Sequence, residues 1–216
     1  MNCTVKRLTN WSLALDLARA TMGKEQNEKE PSSEWKRKLL DCQHSPLRAI
    51  MYHIQFTDLP YYVSVHLSRH KFGCEHFVST QRADRTAEGT SRSDLPQDAP
   101  VTHDIVANAQ ALINISKKRL CNLASPETRE AWKKVVERLR EIGEVEMADA
   151  MLPECEHRGG VCFEMKPCGK ANMINWTRLR EKISRLEQEV DHWRRQALEE
   201  DALNNELEKA KSNKHK

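Results

Sequence analysis

The chain has 216 residues, 38% hydrophobic and 6% aromatic, with a formal net charge of +3. That length fits one domain with an appendage or two small domains, and the apolar share supports a modest core with much chain left outside it. The small charge gives no strong nucleic-acid signal, and without an eighteen-residue apolar run no transmembrane helix is expected. Met1 to Arg7 holds no apolar stretch of the secretory kind, so a cytoplasmic protein is expected. Its seven cysteines are then thiols or metal ligands rather than disulfides.

Asn10 to Ala20 carries apolar residues at helical spacing behind an N-cap residue, and Gly23 closes that helix. Ser32 or Ser33 caps a second helix through Trp35, Leu39 and Leu40, which His44-Ser45-Pro46 breaks. Ile50, Tyr52, Ile54 and Phe56 alternate with Met51, His53 and Gln55, the period of a half-buried strand. Asp58-Leu59-Pro60 reads as an N-cap with an early proline, opening a helix over Tyr61 to His70. Arg69 and Lys71 then sit at its C-terminal end, where cations suit the helix dipole. Residues 83–100 are polar and turn-rich and predict a mobile loop or lid.

A helix is predicted from about Thr102 to Leu120. Another begins at Ser125-Pro126-Glu127, buries Ala131, Trp132, Val135, Val136, Leu139 and Ile142, and ends at Gly143. Residues 153–170 are rich in cysteine and glycine and read as irregular. The tail places Trp176, Leu179, Ile183, Leu186, Val190, Trp193 and Ala197 three and four residues apart in turn, a heptad seam that loses phase after Ala197. It predicts a short coiled coil or a helix docked on its own domain, with the polar end from Lys209 to Lys216 frayed.

Two clusters carry chemistry. Arg69-His70-Lys71, seven residues, then Ser79 is either a solvated basic helix end or an anion site. As an anion site, arginine offers a planar fork, lysine a point charge and serine a small hydroxyl. No Gly-x-Ser-x-Gly elbow surrounds Ser79 to mark a serine nucleophile. Cys155, Cys162 and Cys168, with Cys121 as a fourth ligand if the fold returns it, are either plain reduced thiols or a zinc knuckle.

The first cluster resembles the Arg-His-Arg, seven residues, Ser signature of the flavin-dependent thymidylate synthases. Ala18-Arg19-Ala20, His44-Ser45-Pro46-Leu47 and Pro60 resemble earlier family elements, and Arg92-Ser93-Asp94-Leu95-Pro96 is similar to its Arg-x-x-Leu-Pro entry. Asn108-Ala109-Gln110-Ala111-Leu112-Ile113-Asn114 and Arg119 resemble its Asn-Ala-Arg-x-Leu-x-Asn helix and the arginine beyond. Where the family has Asn-Glu inside the signature, this chain has His76-Phe77, and the third signature cation is Lys71.

The resemblance, carried by about residues 10–150, implies an α+β fold of that family for a domain over residues 1–150; composition adds a Cys/Gly-rich segment over 151–172, and the heptad spacing a helical coiled-coil tail over 173–216. The resemblance also implies reductive methylation of dUMP to dTMP, with methylenetetrahydrofolate as carbon donor and FAD reduced by NADPH, in a homotetramer. Arg69, His70, Lys71, Asn108, Asn114 and His44 become flavin-side candidates. Ser79, Arg92, Arg119 and Arg82, the last one place later than its family counterpart, become nucleotide-side candidates. Arg119 and Ser79 are the catalytic pair. Two other readings stand beside this one: a non-catalytic nucleotide- or flavin-binding homologue acting as an oligomeric interaction module, favoured by His76-Phe77, and a zinc-stabilised structural protein.

Overall fold

The computed structural model describes residues 1–85, 91–173 and 183–200. The chain divides into two units, Met1–Asn172 and Met173–Lys216. Alternation in the sequence builds the sheet of the first. In β2 (Met51–Pro60), Tyr52, Ile54 and Phe56 are fully buried, whereas Met51, His53 and Gln55 are half-buried. The same period of two buries Cys3 and Val5 in β1 (Asn2–Arg7), and Val101, His103, Ile105 and Ala107 in β4 (Pro100–Asn108). With β3 (Cys74–Val78) these strands form one antiparallel sheet in the order β1-β2-β4-β3. Val5 stands opposite Ile54, Ile54 opposite Ile105, and Ile105 opposite His76. One face is therefore apolar. The other is polar and half-covered, with His53 Nε2 at 2.7 Å and Gln55 Nε2 at 3.0 Å from the same Asp104 Oδ1.

Helices cover the apolar face. They are α1 (Trp11–Ala20), α2 (Ser33–Cys42), α3 (Tyr61–Ser68), α4 (Ala109–Arg119), α5 (Pro126–Glu141) and α6 (Val145–Ala150). Ser32 Oγ caps α2 by accepting from Trp35 N at 3.2 Å, and Ser125 caps α5 ahead of Pro126. Asn10 stands at the N-cap of α1 without capping it; its Oδ1 accepts from Arg7 instead. Trp132 is fully buried on α5 and donates from Nε1 to Ser116 Oγ of α4 at 2.8 Å. That hydroxyl in turn donates to Leu112 O, so the indole finds a buried partner without an orphaned donor.

One buried acid ties the first strand to the helices. Glu144 lies 6% exposed between α5 and α6. Its carboxylate accepts from Trp11 Nε1 at 2.9 Å, Tyr52 OH at 2.7 Å and the Arg7 guanidinium. Four separate elements meet there.

Several expectations change in the folded chain. Residues 100–108 are strand rather than helix, and the helix starts only at Ala109. The run of alternate burial from Val101 to Ala107 has two strand partners, and that pairing overrides the helical spacing of its apolar residues. Asp58 is no N-cap. It takes a left-handed φ of 54° inside a bulge between Phe56 and Leu59, and β2 continues to Pro60. Helix α3 ends at Ser68, so Lys71 lies beyond it.

Residues 97–99 are held at the start of α3, with Tyr61 N donating to Ala99 O and Tyr62 N to Gln97 O, both at 3.1 Å. Residues 86–90 of the expected lid lie outside the described residues. The Cys/Gly-rich segment holds a short helix, α7 (Glu154–His157), and a two-stranded pair, β5 (Val161–Cys162) with β6 (Asn172–Met173). All seven cysteines are free thiols. Among the described residues, no helix is long and apolar enough to cross a membrane.

In the second unit, residues 183–200 are helical. Ile183, Leu186, Val190 and Trp193 are exposed on it. Trp176, Leu179 and the polar end from Lys209 lie outside the described residues.

Glu144→Ala leaves Trp11 and Tyr52 without an acceptor and Arg7 without its counter-charge. It is expected to cost about 3 kcal/mol, and Glu144→Gln, which keeps one acceptor oxygen, clearly less. Urea denaturation of the two variants checks this order.

Candidate functional site

The signature residues occupy a turn between α3 and β3. Arg69 caps the helix in a right-handed conformation, and Gly73 takes a φ of +73° before the chain enters β3. A left-handed residue is needed there, and glycine adopts that conformation without strain. A second constraint falls on the same residue. A Cβ at Gly73 would stand 2.7 Å from Asn108 Nδ2 and 2.9 Å from its Oδ1. Asn108 N donates to Gly73 O at 2.9 Å, while Asn108 Oδ1 accepts from Ala111 N at 2.8 Å and caps α4. The Asn helix and the signature turn are therefore one junction.

Arg119, in the last turn of α4, reaches across to the same turn. Its Nε donates to His70 Nε2 at 2.8 Å and its Nη2 to His66 O at 2.6 Å. The second contact satisfies a terminal carbonyl of α3 with a cation, which the helix dipole favours. A guanidinium only donates, so His70 Nε2 is unprotonated and its proton lies on Nδ1.

Two more imidazoles continue the network. His76 Nε2 is 2.7 Å from His70 O, and since a carbonyl only accepts, that nitrogen carries the proton. His76 Nδ1 then accepts from His103 Nε2 at 3.0 Å. His103 is fully buried, and its Nδ1, left unprotonated, has no partner. Burial first, then Arg119, His76 and Arg69, pulls His70 down to about 4. Burial first, then His76, does the same to His103. His76 is also lowered by burial. All three rings are neutral at pH 7.

On the solvent side, Arg69 and Lys71 are exposed, as is Phe72. Among the described residues neither cation has an ion-pair partner. Ser79 follows β3, and its Oγ accepts from Thr102 N at 3.0 Å. Its hydroxyl proton remains available to an acceptor in solvent. The chain thus brings together Arg69, His70, Lys71, Asn108 and Arg119, with Ser79 one strand length away on β3. Geometrically this is a turn that carries two exposed cations and is backed by a neutral histidine.

Other candidates stand apart from that turn. Arg82 is turned onto Asp84 in a bidentate pair at 2.7 and 2.9 Å. Arg92 lies exposed in a 3₁₀ turn (Arg92–Asp94). Asn114 Oδ1 accepts from Gln110 Nε2 at 3.3 Å, and Gln110 also donates to Gln43 Oε1 at 2.8 Å. His44 lines a groove of about 450 Å³ between α1 and α2, with Ala18, Trp35, Leu39 and Pro46.

Cys121, Cys155, Cys162 and Cys168 line one cavity of about 150 Å³, so the fold does return Cys121 to the other three. Burial holds the Cys155 thiol above its usual range, which favours the protonated form. Among the described residues, no three His, Cys, Asp or Glu side chains are grouped to hold a metal ion. The zinc knuckle expected from these cysteines is therefore not preassembled.

Gly73 and His103 escaped sequence reasoning. The glycine inside the signature was a visible signal, whereas His103 was hidden by the helical assignment of its strand.

In fold, the chain is similar to flavin-dependent thymidylate synthase ThyX from Helicobacter pylori, solved with FAD and dUMP. One such structure matches with a TM-score of 0.56 at 14% identity, covering 69% of this chain and 99% of that one. A second, at 2.31 Å resolution, gives 0.57 at 14% identity, covering 70% and 99%. No protein-family model matches the chain, and no curated protein matches it either.

Two predictions follow from the junction and the histidines. Gly73→Ala, strained in φ and pressed on Asn108, is expected to cost about 2 kcal/mol. Asn108→Ala costs about 1 kcal/mol through the lost cap. The double variant costs less than their sum, because the clash leaves with the Asn108 side chain; a double-mutant cycle by urea denaturation measures this. Acid also unfolds the protein through its imidazoles. Unfolded histidines gain a proton below about 6.5, but His70 and His103 only near 4 when folded. The unfolded state binds more protons in that window, so stability falls from about pH 6.5 to about pH 4. Denaturation midpoints of His103→Gln, each taken relative to its own value at pH 7.5, are expected to fall less steeply.

Proposed function

We infer that the chain binds FAD and a pyrimidine nucleotide and methylates dUMP reductively to dTMP, drawing the carbon from methylenetetrahydrofolate and the reducing equivalents from NADPH. The reading rests on one observation. The Gly73–Asn108 junction sets two unpaired cations, Arg69 and Lys71, beside a neutral His70. Among the described residues neither cation is spent on an ion pair, so their charge is free for a ligand anion.

The residues fit a flavin nucleotide. Arg69 and Lys71 would take its diphosphate, with His70 Nδ1–H as a neutral donor beside them. Asn108 has committed Oδ1 to the α4 cap and keeps its amide nitrogen for a ligand, and Asn114 and His44 extend the flavin side. When bound, reduced flavin would supply the hydride. On the nucleotide side, Ser79 would donate its free hydroxyl proton to a phosphate oxygen, with Arg92 and Arg82 as further phosphate donors. Arg119 would face the charge that develops on the pyrimidine. Assembly as a tetramer belongs to the same reading.

A second reading, a non-catalytic flavin- or nucleotide-binding homologue, is favoured by a specific observation. Arg119 spends Nε and Nη2 on His70 and His66 O, inside the protein, which keeps it as a structural cap. His76, standing where the resemblance expects asparagine, also works inward.

Growth of a thymidine-requiring bacterial strain carrying this chain, without added thymidine, is the expected outcome and separates the readings. Bound flavin with no growth favours the second. Arg69→Ala and Lys71→Ala are each expected to weaken FAD binding about tenfold, measured by flavin fluorescence titration; unchanged affinity in both removes the turn from the flavin site.

A further inference from the structure

The exposed seam of residues 183–200 is not used by the proposed activity. Ile183, Leu186, Val190 and Trp193 are 46%, 49%, 47% and 66% exposed on one helix. Their spacing of three, four and three puts Ile183 and Val190 at heptad a, and Leu186 and Trp193 at d. A row of large apolar side chains along a charged helix marks a surface that packs against another apolar one.

The residue types select that surface. β-Branched residues at a with leucine at d favour two parallel strands over three or four. The flanks select it independently. Glu187 and Arg194 fall at e, and Glu189 falls at g. In a parallel in-register pair, each g residue faces the e residue five positions further along its partner. Glu189 then meets Arg194 of a second copy, an opposite-charge pair made twice by symmetry. Among the described residues, the ion pair Arg194 makes is a long 3.7 Å contact with Asp191 on its own helix, with both side chains well exposed. Its guanidinium is free to turn toward a partner.

We propose that the helix of residues 183–200 is one strand of a parallel, in-register, two-stranded coiled coil with a second copy of this chain, specified by Ile183 and Val190 at a, Leu186 at d, and reciprocal Glu189–Arg194 pairs. The proposal is independent of any flavin or nucleotide binding. Its partner is identical, so the interface is isologous and closes at two chains.

The full-length chain carrying both Leu186→Cys and Trp193→Cys, oxidised mildly and mapped by mass spectrometry against the unsubstituted chain, tests orientation. Disulfides joining position 186 to 186 and 193 to 193 are expected. Links between 186 and 193, or none beyond those of the unsubstituted chain, overturn it. Sedimentation velocity of full-length charge variants tests register. Glu189→Arg alone is expected to weaken self-association about tenfold, and adding Arg194→Glu to restore it to within about twofold. A loss that the second change does not recover, or no loss at all, overturns the pairing.

Discussion

Asn108 holds the first unit's sheet, the cap of α4 and the signature turn in one place. Its backbone closes the register of β4 against Met51, its amide proton goes to Gly73 O, and its side-chain oxygen starts α4. Those three contacts use different atoms of one residue, so strand end, turn and helix start share one position. Gly73 answers the same constraint from the other side: no Cβ fits under the asparagine, and the turn needs a positive φ. The position of every cation in the candidate site follows from that contact, since Arg69 and Lys71 flank the turn and Arg119 closes the helix.

The histidines behind the turn explain how so basic a cluster is tolerated. Three cations near one another would repel more if their imidazole neighbours were also charged. Burial and the guanidinium of Arg119 keep His70 neutral; the backbone carbonyl of His70 fixes the tautomer of His76, which in turn fixes that of His103. The chain ends at His103 Nδ1, a buried acceptor with no donor. An unsatisfied buried acceptor is costly, and it is tolerated here where the remaining network is complete. His76 is therefore not an empty substitution. It holds the backbone carbonyl of His70, a task belonging to the shape of the turn rather than to its ligand.

Much of this arrangement was legible beforehand. Period-two burial in β2 and the capped starts of α2 and α5 are local properties, and the residues Ser32, Ser125 and Pro126 state them directly. The order of Arg69-His70-Lys71, Ser79, Asn108 and Arg119 pointed to one site before any fold was known, and most of these residues do gather at one turn. The segment from Pro100 to Asn108 was misread because its apolar residues fit a helix nearly as well as a strand. Asp58 was misread because a bulge is defined by its partner strand, which local sequence does not contain.

The sequence by itself determined the capped helices, the alternating strand β2 and the chemical inventory of the site, because caps and periodicity act within a few residues. It also set the heptad spacing of Ile183, Leu186, Val190 and Trp193. Tertiary structure alone decided which carbonyls and rings the cations face: Arg119 inward onto His66 and His70, Arg82 onto Asp84, Arg69 and Lys71 toward solvent. It alone gathered four distant cysteines around one cavity. Those outcomes depend on which surfaces desolvate against each other, and desolvation is a property of the packed chain rather than of any stretch within it.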